Sequence, residues 1–583
     1  MGKSIIEKNL ISGRMPDLAV VFCRASALKN GFLRHGRRIR MRKETGKFNK
    51  RGVQILAVGL LTGFFVGVIV SFFNLAAEFA VKKATTVYAL VRENPAWIPL
   101  FFLALIAISF VVATISELVP MARGSGIPQT EGAARGLIEL KWYRSLPAMA
   151  AACLLSMFSG LTAGGEGPSM FIGSTCGEGT SKLLGCTDME RRYQLTGGAC
   201  AGLAVAFNAP LTGIVFAFEE AHRRFTPAIF ICAFSAVLSA IVTRNVLFGA
   251  IGMEITSEFT SFRFLSLPVT SYGYVVLAAL CCGVLGFASY RLCLFAKRVF
   301  AKITFARKLG KMTIPFVVAG VFGLLCPSVI GGGHGFIESL GTLGGTVSSS
   351  VSSVFALPVI ASLCLILVMR VIATALNLGA GVPCGVFIPM LAIGAGLGAL
   401  LARLCVMIGL DPVYGDLLVM ICMATFFTSV VKAPITAILM TVELTWNFTL
   451  LVPVILGVSL GYMIGETFGT KPIYEVLLEG FLEEQQVKLQ KYTYVTTIEK
   501  GSIAADVSIR DVLWPGSLLV RSIRRGEENI VAASDTVLRA GDELTIQAEV
   551  VDFERFRGWV DEIVKPRRRI FRRKGKGKDG NPV

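Results

Sequence analysis

The sequence predicts an all-α polytopic membrane protein, built from two related halves and followed by a small α/β domain. Three observations carry that prediction. First, 54% of the 583 residues are hydrophobic and only 17% are charged, and the mean hydropathy is +0.66, too apolar for a soluble globular chain. Second, runs without Asp, Glu, Lys or Arg occupy 52–77, 95–116, 193–218, 264–290, 312–337, 339–369, 371–402 and 444–465. Each is long enough for a helix of about 20 residues to cross a hydrocarbon core of about 30 Å. Third, the body repeats itself. Asn208-Ala209-Pro210-Leu211-Thr212-Gly213-Ile214-Val215-Phe216-Ala217-Phe218-Glu219 aligns with 432–443, identical at Ala, Pro, Thr, Ile and Glu. Gly164-Gly165-Glu166-Gly167-Pro168 aligns with Gly385-Val386-Phe387-Ile388-Pro389 at nearly the same offset. Duplicated halves with Gly/Pro-broken apolar segments are how transporters assemble a midplane site from half-helix ends.

Taken in order, residues 1–51 form a basic lead expected in the cytoplasm, and 52–482 the membrane body, with halves at about 52–250 and 264–470. Residues 491–566 form the small domain and 567–583 a basic, disordered tail. The first apolar run begins too late for a cleaved signal peptide. In the small domain, Ser517–Ile523, Asn529–Val531 and Glu543–Gln547 read as strands, and Phe556, Trp559, Val560 and Ile563 follow the spacing of an amphipathic helix.

The net charge of +19 suggests a polyanionic partner until it is located. Residues 1–51 hold 14 basic and 3 acidic residues, and 565–583 hold 9 basic and 1 acidic. The remainder is neutral, with 35 of each sign. A nucleic-acid binder needs a basic folded face, so no nucleic-acid partner is expected. The tails instead argue for cytoplasmic termini and contact with membrane lipid. The 14 cysteines lie within 23–422 without a CxxC pair, and the three histidines, His35, His222 and His334, form no cluster. Neither a disulfide frame nor a metal site is expected, and no cofactor is required.

The chemistry-bearing segments are three Gly/Pro breaks in apolar sequence: Gly124-Ser125-Gly126-Ile127-Pro128, 164–168 and 385–389. Glycine opens the backbone to a ligand, and proline is tolerated near a helix start. Several helix N-termini meeting at one point hold an anion by free N–H groups and partial charge alone. The alternative reading is of plain tight turns. Glu166 lies inside such a break, where an ionised carboxylate is costly; occupying the anion site and leaving it on protonation links proton to anion movement. Glu219 and Glu220, as neighbours on a helix, point in different directions. One reads as structural, like its repeat counterpart Glu443, while the other faces a proton route; an interfacial ion pair with Arg223 or Arg224 is the plainer alternative.

At these residues the chain resembles the CLC family of chloride channels and chloride/proton exchangers. The segments 124–128, 164–168, 208–220, 385–389 and Lys471-Pro472-Ile473-Tyr474 stand in family order over roughly residues 50–480. The resemblance implies an inverted-repeat helical fold and a homodimer in a prokaryotic cytoplasmic (inner) membrane. It implies that Ser125 and Tyr474 place hydroxyls on chloride and that Val386 and Phe387 add backbone amides, with Gly124, Gly126, Gly165, Gly167 and Ile388 as surrounding backbone. By the same resemblance Glu166 is the external gating glutamate and Glu220 the internal proton-transfer glutamate, which exchangers carry and channels lack. One departure stands out: the family places Arg or Lys before the gate, where this chain has Gly165.

Residues 491–566, through Asp535-Thr536-Val537-Leu538-Arg539-Ala540-Gly541-Asp542, resemble the TrkA-C (RCK-C) regulatory domain. That resemblance implies dimer pairing and, in some members, a nucleotide second messenger such as cyclic di-AMP; a ligandless dimerisation domain is the other reading. The expected function is chloride/proton antiport, with no enzymatic activity. A passive chloride channel of the same fold is the alternative. A potassium transporter lacks a TVGYG-like filter, and a membrane hydrolase lacks a GxSxG elbow.

Overall fold

Helices account for most of the computed structural model, which describes residues 45–221, 226–253, 259, 262–303, 307–341, 357–485, 490–512, 514 and 517–566. The basic lead 1–44, the His222-Arg223-Arg224 cluster and the tail 567–583 lie outside the described residues. From Gln54 on, the described residues form one compact unit.

Among the described residues eight helices are long and apolar enough to cross a membrane, so the chain is a multi-pass membrane protein. Several uncharged runs are not single helices, and two of them break at the repeat. The run 193–218 breaks where Asn208 adopts a left-handed conformation (φ 51°) ahead of Pro210, and 371–402 breaks from Gly381 (φ 71°) to Val386. Conversely, the crossing helices Pro227–Ala250 and Pro412–Val431 contain Arg244 and Asp416, so a charge-free window passes over them. Both charges meet partners from other segments: Arg244 donates to Asn208 at 2.9 Å, and Asp416 accepts the Arg263 amide at 2.9 Å.

Seventeen helices of the described body, numbered in chain order, are α1 (Thr45–Glu93), α2 (Ile98–Leu118), α3 (Ile127–Ala134), α4 (Trp142–Phe158), α5 (Glu166–Leu183), α6 (Asp188–Phe207), α7 (Pro210–Phe216), α8 (Pro227–Ala250), α9 (Tyr272–Lys302), α10 (Arg307–Leu325), α11 (His334–Leu340), α12 (Val359–Ala380), α13 (Phe387–Met407), α14 (Gly415–Val431), α15 (Pro434–Thr445), α16 (Leu451–Thr467) and α17 (Ile473–Glu484). The repeat is structural. The series α5-α6-α7 corresponds to α13-α14-α15, and α6 and α14 both end on a left-handed residue, Asn208 and Lys432 (φ 69°). Small residues bring the paired helices together, as expected where lipid offers no hydrophobic drive between helices. A Cβ on Gly173 of α5 would lie 2.1 Å from the Gly198 carbonyl of α6, and one on Gly398 of α13 2.6 Å from the Val419 Cα of α14.

The small domain is a four-stranded antiparallel sheet of order β1-β4-β2-β3, with β1 Gln490–Thr497, β2 Ser517–Arg525, β3 Glu528–Ile530, β4 Glu543–Val550 and a closing helix α18 (Phe553–Val564). Leu544, Ile546, Ala548 and Val550 alternate inward along β4 and meet Phe556, Val560 and Ile563 of α18. This core is continuous with Met189, Tyr193, Ile229 and Cys232 at the near ends of α6 and α8. The domain is therefore seated on the membrane body.

Candidate functional site

Backbone hydrogen bonds stitch the three Gly/Pro breaks together. Gly164 and Gly385 exchange N–H···O=C bonds of 2.7 and 2.8 Å in an antiparallel bridge. The Gly124 amide donates to the Gly381 carbonyl at 3.1 Å, and its carbonyl accepts the Cys384 amide at 3.3 Å. Gly124 thus fastens the first break to the third. These approaches exclude side chains: a Cβ on Gly167 would lie 2.3 Å from the Ser125 carbonyl oxygen, and one on Gly385 2.6 Å from that of Gly164. Gly126 adopts a left-handed turn (φ 83°) that aims the start of α3 at the others.

Three helix starts converge as a result, each with proline in the first turn: Pro128 in α3, Pro168 in α5 and Pro389 in α13. Val386 and Phe387 stand at the N-cap and first position of α13, where amides lack intrahelical acceptors. The Phe387 ring is held by Phe207 at 4.9 Å and Phe427 at 4.4 Å, which fixes that helix start. Ser125 and Tyr474 are buried, and neither hydroxyl has a hydrogen-bond partner among the described residues. A buried hydroxyl without a partner costs about 1–3 kcal/mol. An anion accepting from both removes that cost, so the donors fit an anion without any full cation among them.

Glu166 opens α5 and is buried. Its carboxylate lies against the amides of Gly165, Ile388 and its own residue, and within electrostatic reach of His334. Glu220 is buried in a π-type turn, Ala217–Ala221, a local irregularity frequent at functional sites. Tyr474 stands within electrostatic reach of both Glu220 and Glu166.

Glu219 points elsewhere. Its carboxylate accepts the Ile435 and Thr436 amides at 2.8 and 2.7 Å and the Thr436 hydroxyl at 2.7 Å, capping α15. Glu443 returns the same three bonds to α7, from Leu211 and Thr212 at 2.8, 2.7 and 2.6 Å. Sequence reasoning missed this exchange, though its signal was the Thr and Glu shared by the two repeats. It also missed the phenylalanine cluster and His334.

Residues 107–466 match the family described as voltage gated chloride channel, and 495–560 match the TrkA-C domain. The chain is 31% identical over 454 residues to the H(+)/Cl(-) exchange transporter ClcA of Vibrio parahaemolyticus, covering 75% of this chain and 91% of the relative. It is 30% identical over 455 residues to ClcA of Vibrio cholerae, covering 76% and 92%. The solved structure of a slow cyanobacterial Cl-/H+ antiporter superposes with a TM-score of 0.67 at 25% identity, over 74% of this chain and 99% of that one. A eukaryotic CLC transporter shares the fold, with a TM-score of 0.58 at 22% identity, over 73% and 74% of the two chains. With helix starts, hydroxyls and duplicated halves arranged as described, the chain belongs to the voltage gated chloride channel family, a family of membrane transport proteins and not of enzymes, and carries a TrkA-C domain behind its membrane body.

Proposed function

We propose that the chain is a homodimeric chloride/proton antiporter of the bacterial inner membrane, with both termini and the TrkA-C domain on the cytoplasmic side. Chloride is held by the hydroxyls of Ser125 and Tyr474 and the amides of Val386 and Phe387. Glu166 is the external gate and Glu220 the internal proton-transfer residue. The observation that carries this reading is that Tyr474, buried and with a hydroxyl that has no hydrogen-bond partner among the described residues, stands within electrostatic reach of two buried carboxylates, Glu220 and Glu166. The ionised Glu166 carboxylate competes with chloride for N–H donors. Once protonated it no longer needs them, and the site opens to the anion. A proton and an anion therefore exchange occupancy of one electrostatic position, which is linkage between their movements.

No resident cofactor enters this mechanism. The TrkA-C domain is read as regulatory, and cyclic di-AMP is the nucleotide to assay on it.

The test is proton uptake driven by a chloride gradient in proteoliposomes. Uphill proton movement is expected, and Glu166→Gln should abolish it while chloride flux persists. Chloride flux without proton uptake in the unaltered protein would make it a passive channel. Coupling retained by Glu166→Gln would place the gate at another residue.

A further inference from the structure

We propose that His334 is the proton port of Glu166 on the face opposite the TrkA-C domain, and that it provides there a titratable positive charge at the mouth of the anion path. The inference rests on the reading of Glu166 as the gate and adds the group that loads it.

The placement comes first. Helix α5 runs about 27 Å, at 1.5 Å per residue, from Glu166 to Leu183, close to where α6 meets the small domain, so Glu166 faces away from that domain. The strap Gly331–Gly333 lies on the backbone just before Glu166. A Cβ on Gly332 would sit 2.9 Å from the Ala163 carbonyl oxygen and 3.3 Å from the Gly164 Cα. His334 follows the strap as the first residue of α11. It is exposed where Glu166 is buried, and the imidazole and carboxylate are within electrostatic reach of each other. A buried acid and an exposed base within electrostatic reach of it form the two ends of a proton path.

The surrounding groups leave this role to the imidazole. Arg370 of α12 is fully buried and donates to the Gly332 carbonyl at 3.2 Å and the Ser328 carbonyl at 2.6 Å, with its guanidinium over the Phe336 ring at 4.7 Å. It holds the strap in place, and an arginine does not exchange protons near neutral pH. The turn Pro327–Val329 brings the buried Cys326, a thiol whose type ionises around pH 8.5. Helix α13 presents apolar Ala392 to the strap, Phe259 lays its ring 6.1 Å from the imidazole, and Glu338 lies one turn further along α11. Among these described groups, His334 alone combines electrostatic reach of Glu166, exposure and a ring that both takes up and gives up a proton.

The step balances. A hydronium ion or buffer acid protonates the neutral imidazole; the imidazolium then passes that proton to a carboxylate oxygen of Glu166, directly or through one water. A neutral imidazole and a neutral carboxylic acid remain. Release runs in reverse, and between transfers the imidazolium draws chloride toward the path.

The test uses the full chain in liposomes over a symmetric pH series, with chloride flux and chloride-driven proton uptake both recorded. His334→Gln should slow coupled turnover at least about ten-fold at an unchanged exchange ratio, and added free imidazole should restore part of the rate. In the Glu166→Gln background, which reports chloride flux alone, flux should still rise as pH falls through the imidazole range. Adding His334→Gln should flatten that profile, and adding His334→Lys should hold flux high throughout. Unchanged rates and profiles in the His334 variants, with Glu166→Gln still abolishing coupling, would overturn the inference and leave the antiport reading intact. Coupling retained by Glu166→Gln would overturn both.

Discussion

Glu219 and Glu220 show how one residue step separates two roles. Around a helix, adjacent side chains diverge by about 100°, so the Glu219 carboxylate leaves its own segment and caps α15, while Glu220 turns into the buried interior near Tyr474. The residues themselves told that the two must differ, and only the family resemblance assigned the proton route to Glu220, because the partners of Glu219, Ile435 and Thr436, lie more than two hundred residues away. Glu219→Gln replaces an acceptor oxygen with a donor facing amides. The loss of charge-assisted bonds to a helix start should cost about 1.5–3 kcal/mol, read as a lower thermal unfolding midpoint in detergent, with the chloride-to-proton exchange ratio unchanged. Glu220→Gln should do the reverse, losing proton coupling while its unfolding midpoint stays near that of the parent. If both variants lost stability and kept coupling, Glu220 would also be structural.

At the scale of elements, the membrane body was legible where its signals were local and hidden where pairing decided. Gly/Pro breaks identify helix starts because their backbone demands are written in the residue types. The crossing helices that carry Arg244 and Asp416 escaped a search for uncharged runs, since the partners of those charges come from other segments. Strand β1 escaped for a similar reason. Gln490–Thr497 is polar, exposed or half-buried at most positions, and it becomes a strand by pairing with β4.

The same sheet contains a clasp with a pH signature. Asp542 accepts both arms of Arg525 at 2.7 Å and the Arg539 amide at 2.8 Å. Burial raises the Asp542 carboxyl, but the Arg525 hydrogen bonds, the Arg539 amide and the two positive charges outweigh it and hold the group below the usual carboxylate range. A depressed carboxyl contributes stability that is fully present above its unfolded value of about 3.9 and is lost as pH falls through the folded value. The hydrogen-exchange protection of 517–550 in the full chain, taken relative to the intrinsic exchange rate at each pH, should therefore be steady above about pH 5 and fall only on acidification below the unfolded value. Asp542→Asn should weaken protection by about 2 kcal/mol at neutral pH and remove that acid limb. An unaltered acid limb in the variant would mean that another carboxylate sets it.

At the scale of the whole molecule, a short helix links the small domain to the proposed anion site. Helix α3 spans about 12 Å over its eight residues; Ser125 lies just before its start, and Gly136 just past its end. Trp559 of α18 packs under that end, so that a Cβ on Gly136 (φ 79°) would strike the indole at 2.5 Å. Arg192 completes the joint. Its Nε donates to the last carbonyl of α3, on Ala134, at 2.8 Å, and its guanidinium faces the Trp559 ring at 5.8 Å, placing a cation at the negative end of the helix. Arg555 lies over the same ring at 4.9 Å. Removing the indole leaves α3 without its stop while the stitched loop at the other end stays tied to Gly381 and Cys384. The helix then tilts about the loop, and the Ser125 hydroxyl departs from the anion position. Trp559→Ala should accordingly raise the chloride concentration for half-maximal flux about five-fold and slow transport, with the exchange ratio kept, while Trp559→Phe, which preserves an aromatic stop, should recover most of both. Hydrogen exchange across 517–564 distinguishes this from unfolding of the domain, since it should stay protected in both variants. Unchanged chloride affinity in Trp559→Ala with the domain still protected would show that the TrkA-C domain is docked on the membrane body without bearing on the anion site.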